Sequence, residues 1–286
     1  MRLKDGFSWG TRCYVMGILN LSPDSFSGDG LADAQGAVAQ ALRFADAGAD
    51  IIDIGGESTR PAARPLDAAA EAARVVPVIA AVRAALPNMP LSVDTYRAPV
   101  AQAALDAGAD IVNDVWGLRA DADIAALAAA LGAPVILMHN RTRPGYADID
   151  RRLGGQYIGA HYDDLLGEVY DELAGLAAGA MAAGIEADQI VLDPGLGFGK
   201  SLDQNLALMN HLGHFKSLGY PVLVGPSRKS FIGRTLDVPV EDRLAGTAAA
   251  IAVSIVRGAD IVRVHDVAEM AQVARMTDAI LRAPLS

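Results

Sequence analysis

The sequence has almost no cysteine, no long apolar run and no excess of positive charge. Cys13 is the single cysteine among 286 residues, which excludes an internal disulfide or a thiolate metal cluster and fits a reducing compartment. The longest stretch without a charged residue or histidine covers the fifteen residues 124–138, whereas about 20 apolar residues are needed to cross a bilayer. The N-terminus shows no apolar core before a small-residue cleavage site. We therefore expect a cytoplasmic protein without a membrane span.

Acidic residues outnumber basic ones, with 34 Asp and Glu against 24 Lys and Arg and a formal net charge of −10. Such a chain has no general basic field, so we expect no nucleic-acid partner and expect anionic ligands to be held by a few local cations. A content of 52% hydrophobic and 20% charged residues is typical of a globular protein. The length fits a single α/β barrel, which takes roughly 250 residues.

A short phrase occurs three times along the chain, at residues 47–53, 107–113 and 258–263. Each copy contains Gly-Ala-Asp, then two β-branched residues, then a polar residue. A glycine after a helix can adopt the left-handed conformation that stops the helix, and a continuous Ile/Val run is typical of a strand buried on both faces. The phrase therefore indicates strands of a parallel sheet, each preceded by a helix.

Five further apolar runs with a polar or small final residue bring the number of predicted strands to eight; they are residues 15–20, 91–94, 135–139, 190–193 and 222–225. Helical spacing of Ala and Leu predicts helices at residues 34–47, 68–85, 100–107, 124–131, 163–183 and 244–256. This alternation predicts an α/β protein with a (β/α)8 TIM barrel, formed by residues 1–286 as a single domain. An open, doubly wound sheet is the alternative, because periodicity does not show closure.

Ligands of such barrels bind where the strands end. Three predicted strand-end residues, Asp94, Asn113 and Asp193, offer carboxylate and amide groups with no cation among them. This set suits the amino and amide edges of a flat heterocycle, since carboxylates accept from N–H groups and an amide both donates and accepts. A hard cation bound through oxygen atoms is the alternative, and we favour the heterocycle.

A second group of strand-end residues predicts an anion site. Arg263 and His265 are two residues apart, so on an extended segment both side chains point to one side and can bind one phosphate. Asn20 ends the first strand, and Thr59 and Arg60 follow the second. A neutral amide oxygen such as that of Asn20 could ligate Mg²⁺ on a diphosphate. The alternative for His265 is a residue at a helix start that bonds only to backbone.

Three loops of the predicted mouth are also distinctive. Residues 22–30 and 195–200 are rich in glycine, and we expect them to be mobile covers for a substrate, with simple tight turns as the alternative. The long loop 139–161 carries several arginines. It would lie over the rim of the site or simply face water.

Nine blocks of the sequence, taken in order, resemble dihydropteroate synthases. They read MGILN at 16–20, PDSFS at 23–27, GGESTRP at 55–61, SVDT at 92–95, NDV at 113–115, LMH at 137–139, DPGLGFGK at 193–200, SRKSFIG at 227–233 and RVHDV at 263–267. The resemblance covers about residues 15–267. It implies a TIM barrel that condenses 7,8-dihydropterin-6-ylmethyl diphosphate with 4-aminobenzoate in folate biosynthesis and releases diphosphate. It also implies a magnesium-dependent homodimer and a target of sulfonamides.

The resemblance further implies a role for each matching residue. The pterin would be held by Asp94, Asn113, Met138, Asp193 and Lys229, and the diphosphate by Asn20, Thr59, Arg263 and His265. Asn20 would also ligate Mg²⁺, and Arg60, Pro61, Phe198, Lys229 and Ser230 would frame the aminobenzoate. The mobile loop would contain Asp24, Ser25, Phe26, Ser27 and Asp29, of which Asp29 lies one position later than the loop carboxylate usual in the family. Catalysis would depend on Asn20, Lys229, Arg263 and His265.

Three other functions are compatible with parts of this pattern. A pterin-dependent methyltransferase would keep the Asp/Asn/Asp set but has no need for Arg263 with His265, because it handles no diphosphate. A Schiff-base aldolase built on Lys229 would normally carry its lysine within a strand. A non-catalytic pterin-binding protein could discard Asn20, Arg263 and His265, so their presence favours an enzyme.

Overall fold

Eight parallel strands of the described residues form one sheet whose two edges meet. The structure is a computed structural model that describes residues 6–21, 30–57, 66–142, 147–150 and 152–284. Its strands are β1 (Tyr14–Asn20), β2 (Ile51–Gly55), β3 (Leu91–Asp94), β4 (Ile111–Asp114), β5 (Val135–Met138), β6 (Ala147–Asp150), β7 (Gly154–Tyr157), β8 (Ile190–Asp193), β9 (Leu223–Val224) and β10 (Ile261–Val264). The sheet order is β8-β5-β4-β3-β2-β1-β10-β9. A parallel bridge from Leu192 to Val222 joins the first and last of these strands, which confirms the predicted barrel over the open sheet.

Helices surround the barrel and include all six of the predicted ones. They are α1 (Gly30–Ala47), α2 (Ala68–Ala85), α3 (Ala98–Asp106), α4 (Ile124–Leu131), α5 (Leu165–Ala182), α6 (Leu202–Asn210), α7 (Gly213–Lys216), α8 (Ser230–Leu236), α9 (Leu244–Val256) and α10 (Val267–Leu281). The largest difference from prediction is the start of α1, at residue 30 rather than 34. Within the described ranges, no helix has the length and apolar content needed to cross a membrane.

The interior of the barrel is arranged in layers because side chains on a strand alternate with period two. One buried layer is apolar and consists of Tyr14, Met16, Ile51, Ile111, Ile136, Val191, Leu223 and Ile261. Two residues further along five of these strands stand Asp53, Asn113, Met138, Asp193 and Arg263. The polar strand ends noted in the sequence are therefore the second layer of the same interior, at the carboxyl end of the barrel.

Aromatic side chains close the opposite, amino-terminal end. The rings of Phe7 and Trp9 stack at a centroid distance of 5.1 Å, and Phe7 meets Tyr14 edge to face at 4.8 Å. Phe7 is buried and packs in the apolar layer. Since the bottom of the barrel is closed in this way, solvent and ligands reach the interior from the polar end.

The three copies of the repeat have the same structural task. Gly48, Gly108 and Gly258 all have a positive φ, of 99°, 111° and 98°, which confirms their predicted role in ending helices. Each aspartate of the repeat then accepts from a backbone N–H at the start of the neighbouring strand. The pairs are Asp50 with Val15 N at 2.8 Å, Asp110 with Leu91 N at 2.9 Å and Asp260 with Val222 N at 2.7 Å. A cation pairs with each of these carboxylates, namely Arg12, Arg83 and Lys216.

One part of the fold differs from the sequence-based prediction. The long loop predicted at residues 139–161 contains an antiparallel hairpin, in which β6 pairs with β7 from Ala147–Tyr157 to Asp150–Gly154. The two strands are only four residues each; β6 alternates apolar and acidic residues, whereas β7 has no apolar alternation. An isolated hairpin of this kind has little intrinsic stability, so its formation depends on contacts with the barrel that no local pattern reveals.

We predict that Asp260→Ala lowers the free energy of unfolding by about 1–3 kcal/mol, because Val222 N and the Lys216 ammonium both lose their partner. Urea unfolding at neutral pH measures the effect. Asp106→Ala is the matched control, since Asp106 is exposed and accepts only from Gln102 one turn earlier. Equal stability of the two variants would show that the repeat aspartate does not hold the strands in register.

Candidate active site

The polar layer lies at the carboxyl ends of the strands, as the sequence predicts. Asp94 pairs in register with Asn113 on the next strand, and Met138 pairs with Asp193. Asn113, Met138 and Asp193 are buried, and Asp94 is close to buried. Because neighbours in a parallel register point to the same side of the sheet, these two pairs, which are offset by two residues between β4 and β5, form one row in the mouth.

Arg263 is inserted into this row and binds two carboxylates at once. Its Nε donates to Asp53 Oδ2 at 2.6 Å, and its Nη2 donates to Asp94 Oδ2 at 2.7 Å. Asn113 Nδ2 donates to the same Asp53 oxygen at 3.1 Å. The two groups of residues that the sequence analysis separates by chemistry are therefore joined by a buried ion pair.

Asp53 is the residue that sequence reasoning missed at this site. It is completely buried within β2, and it was noted only as the end of the first repeat. Asp53, Asn113 and Arg263 occupy the same position in the three copies of the phrase. The repeat therefore carried the signal, because equivalent strand positions in a closed barrel point at one another across the interior.

Burial sets the protonation of these groups. It raises the pKa of Asp94 to about 7, although the Arg263 guanidinium opposes this shift. It also raises the pKa of Asp193, against the effect of Lys229 and of a 2.7 Å hydrogen bond from Gly195 N. Burial alone would lower the pKa of Arg263, but Asp53 and Asp94 outweigh it and raise that pKa. The arginine thus stays charged and favours ionised carboxylates in the mouth.

Lys229 is the second cation of the site. It stands at the N-cap of α8, its Nζ donates to Leu196 O, and the same nitrogen lies 4.9 Å from the centroid of the Phe198 ring. Burial lowers its pKa to about 8, against the opposing effect of Asp193. The structure therefore brings together Asp193, Phe198 and Lys229, as predicted. Ser230 follows directly as the first residue of α8.

A buried lysine fixes the glycine-rich loop that carries Phe198. Lys200 Nζ donates to Gly195 O at 2.9 Å and to Phe198 O at 3.0 Å, and it lies 3.0 Å from His139 Nδ1. Burial lowers the pKa of Lys200 to about 7 and that of His139 to about 2, so the histidine ring is neutral. His139 Nε2 in turn lies 3.1 Å from Glu172 Oε2. Neither Lys200 nor His139 was among the predicted site residues.

The predicted phosphate residues are only partly brought together. The imidazole of His265 lies beside Ser227, with 3.1 Å between Nδ1 and the Ser227 hydroxyl, whereas the guanidinium of Arg263 is directed at the carboxylates. Asn20 is half-buried at the end of β1 and pairs with Gly55. Among the described residues, no group of three or more His, Cys, Asp or Glu side chains could hold a metal. A metal at Asn20 would thus take most of its ligands from substrate and water.

Several predicted site residues lie outside the described residues. They are the loop residues Asp24, Ser25, Phe26, Ser27 and Asp29 and the three residues Thr59, Arg60 and Pro61 that follow β2. Their roles stay predictions of the sequence resemblance.

Comparison with known proteins identifies the family of this chain. The family model of pterin-binding enzymes matches residues 16–265. A dihydropteroate synthase of Clostridium beijerinckii is 45% identical over 278 residues, which cover 96% of this chain and 97% of that protein. The chain belongs to the dihydropteroate synthase family. The resemblance drawn from the sequence blocks is thereby confirmed.

Solved structures of the family share both fold and extent. The dihydropteroate synthase of Clostridium difficile, solved in the presence of pteroic acid, has a TM-score of 0.88 and 45% identity, with coverage of 96% of this chain and 99% of that one. The Xanthomonas albilineans enzyme, solved with 4-aminobenzoic acid, has a TM-score of 0.85 and 42% identity, with coverage of 96% and 94%.

We predict that the wild-type protein gains stability relative to Lys200→Met as the pH rises from 7 to 10. In the folded protein Lys200 has a pKa of about 7, against an ordinary value of 10.5. Between these values the unfolded chain retains a proton that the folded protein has released, so wild-type stability rises with pH through this group. Methionine carries no such proton. Urea unfolding at pH 7 and 10 measures the free energy of unfolding of both proteins. If the wild-type value minus the variant value does not rise between these pH values, the buried ammonium keeps its proton.

Proposed function

We propose that the barrel mouth condenses 7,8-dihydropterin-6-ylmethyl diphosphate with 4-aminobenzoate to give 7,8-dihydropteroate and diphosphate. The observation that carries this proposal is the single buried row in which Asp94, Asn113 and Asp193 are combined with the cations Arg263 and Lys229. Acceptors for a heterocycle and cations for two anionic substrates are thus within one opening. Membership of the dihydropteroate synthase family supports the reaction.

The pterin would lie against the row of acceptors. Ionised Asp94 and Asp193 accept from its ring N–H and amino groups. The bond from Asn113 Nδ2 to Asp53 fixes the amide orientation, so that Asn113 Oδ1 is an acceptor for the ligand. Met138 is buried at the end of β5, where its thioether can pack beside the ring. The Lys229 ammonium is placed to donate to a ring carbonyl.

The diphosphate leaves from the side of the row where Arg263 and His265 stand. Nε and Nη2 of Arg263 hold the carboxylates, so Nη1 is the nitrogen that we assign to the leaving group, with His265 and Thr59 assisting. These donors stabilise the charge that develops as the C–O bond breaks with both electrons on the diphosphate. The electron-rich dihydropterin stabilises the positive charge left on its exocyclic carbon.

Mg²⁺ fits the donor set at Asn20, because this ion commonly uses few protein ligands and takes the rest from phosphate and water. We propose that the Asn20 amide oxygen holds it beside the diphosphate. When bound, the ion would neutralise charge on the leaving diphosphate.

The amine of 4-aminobenzoate then attacks the exocyclic carbon with its lone pair, and as the new C–N bond forms one N–H proton passes to water. An aniline nitrogen is a weak nucleophile, so positioning contributes more than a general base. Phe198, Lys229 and Ser230 would frame the ring and its carboxylate together with Arg60 and Pro61. Sulfonamides, which resemble this amine, are the proposed inhibitors of the same subsite.

The three rival functions fit the structure less well. A Schiff-base aldolase needs its lysine inside a strand and free for a carbonyl, whereas Lys229 follows the strand and bonds to Leu196 O. A methyltransferase or a binding protein would have no need for Arg263, which joins Asp53 to Asp94 beside His265.

We further propose a cytoplasmic homodimer. Helices α9 and α10 pack side by side and expose Val256 at 56%, Met276 at 62% and Ile280 at 63%, an apolar surface that a second copy would cover. Burial raises the pKa of the Cys13 thiol, which suits an unreactive cysteine in a reducing compartment. Sedimentation should give twice the chain mass of 29.7 kDa for the wild type and a monomer for the double variant Met276→Glu, Ile280→Glu. A monomeric wild type would contradict the dimer.

The reaction is tested by mixing purified protein with the dihydropterin diphosphate, 4-aminobenzoate and Mg²⁺. We expect equal amounts of diphosphate and dihydropteroate, no product when EDTA is in excess, and recovery when Mg²⁺ is restored. The dihydropterin alcohol without its diphosphate is the control substrate and should give no product, since it has no good leaving group. Absence of amine-dependent diphosphate release from the complete mixture would overturn the proposal.

A further inference from the structure

The hairpin of β6 and β7 is attached firmly to the barrel mouth. On one side, Arg243 Nη2 donates to Leu153 O at 2.6 Å, and Arg234 Nη2 donates to Asp148 Oδ2 at 3.0 Å. Arg243 is buried, and Arg234 belongs to α8, the helix that Lys229 caps. The hairpin is therefore tied to the element that presents Lys229 and Ser230.

The end of the hairpin is attached to the glycine-rich loop. Ala160 N donates to Gly199 O at 2.8 Å. Gly159 passes so close to this loop that a Cβ on it would lie 2.7 Å from Ser201 N, a distance that only glycine permits. Together with the contacts of Arg243 and Arg234, these contacts hold the last hairpin residue, Tyr157, between two parts of the mouth.

Tyr157 lies directly on the predicted amine subsite. Its ring stacks on that of Phe198, with 6.1 Å between centroids and an interplanar angle of 29°. Lys229 Nζ lies against the same Phe198 ring. The ring that should face 4-aminobenzoate is thus held in place by an aromatic side chain and a cation.

The phenol of Tyr157 is partly buried and lies within electrostatic range of Glu57, which follows β2. Burial raises its pKa, and the Glu57 carboxylate acts in the same direction, so the phenol stays protonated. Glu57 is itself fixed by the Tyr96 hydroxyl at 2.9 Å and by Arg97 Nη2 at 2.9 Å. The Tyr157 ring therefore brings a neutral phenol to the Phe198 side of the mouth.

We propose that Tyr157 is a specificity-determining residue of the amine subsite, where its ring holds Phe198 in place and limits the space beside the aromatic ring of the amine. The inference rests on the proposed function, because it assigns the subsite of that reaction an additional wall. The ligand class is a flat aromatic amine with a carboxylate in the para position.

The test compares Tyr157→Ala and Tyr157→Phe with the wild type in steady-state synthesis. For Tyr157→Ala we expect the KM for 4-aminobenzoate to rise roughly tenfold, while kcat and the KM for the dihydropterin diphosphate change by less than about twofold. Tyr157→Phe keeps the ring and should restore the amine KM. The smaller alanine should also increase the relative kcat/KM for 4-amino-3-methylbenzoate, because it opens space at the ring edge.

Ile158→Ala is the matched control, since Ile158 is the adjacent residue and is 52% exposed. It should leave all constants near wild type. An unchanged amine KM and unchanged selectivity in Tyr157→Ala would overturn the inference alone. Equal losses of kcat/KM for both substrates would also overturn it, because they would indicate a structural role. A wild-type protein that makes no dihydropteroate would instead overturn the proposed function, and the inference with it.

Discussion

The mouth of the barrel depends on one buried interaction, the binding of Arg263 to Asp53 and Asp94. Two carboxylates so close together in a buried site would repel each other and take up protons unless a cation lay between them. The arginine removes this repulsion and bonds to both. An arginine suits this position better than a lysine, because its planar fork can hold two carboxylates at once. Removing one member of such a group usually costs about 3–5 kcal/mol of folding stability. Both the stability of the fold and the geometry of the site therefore depend on this interaction.

Much of this arrangement could be predicted from the sequence. The eight strands followed from apolar runs, and the glycines of the repeat marked helix ends. Period-two alternation explains why Asn113 and Asp193 lie in the mouth, since each stands two residues after a buried Ile or Val of the inner layer. The contact of Arg263 with Asp53 was beyond such reasoning, because periodicity gives the face of a residue but not the partner across the barrel.

The hairpin and the buried lysine show a second limit of prediction from the sequence. The strands β6 and β7 are too short to be predicted from their apolar pattern, and they are held by distant residues such as Arg243. Lys200 was noted only as part of a glycine-rich motif, yet its ammonium group is what holds that loop to His139. Both features depend on long-range contacts, and both determine where Phe198 stands. Sequence motifs therefore located the site, whereas its walls required the three-dimensional structure.

The most direct test of this account is the affinity for 6-hydroxymethylpterin between pH 5.5 and 7.5, measured by its fluorescence for the wild type and for Arg263→Lys. Because burial raises the pKa of Asp94 to about 7 and the ionised carboxylate accepts from the pterin N–H groups more strongly than the protonated acid, wild-type affinity should fall as the pH is lowered. In Arg263→Lys the carboxylates lose their bridging partner, so the same fall should occur at higher pH. An affinity independent of pH, or identical profiles for the two proteins, would contradict the central role of Arg263.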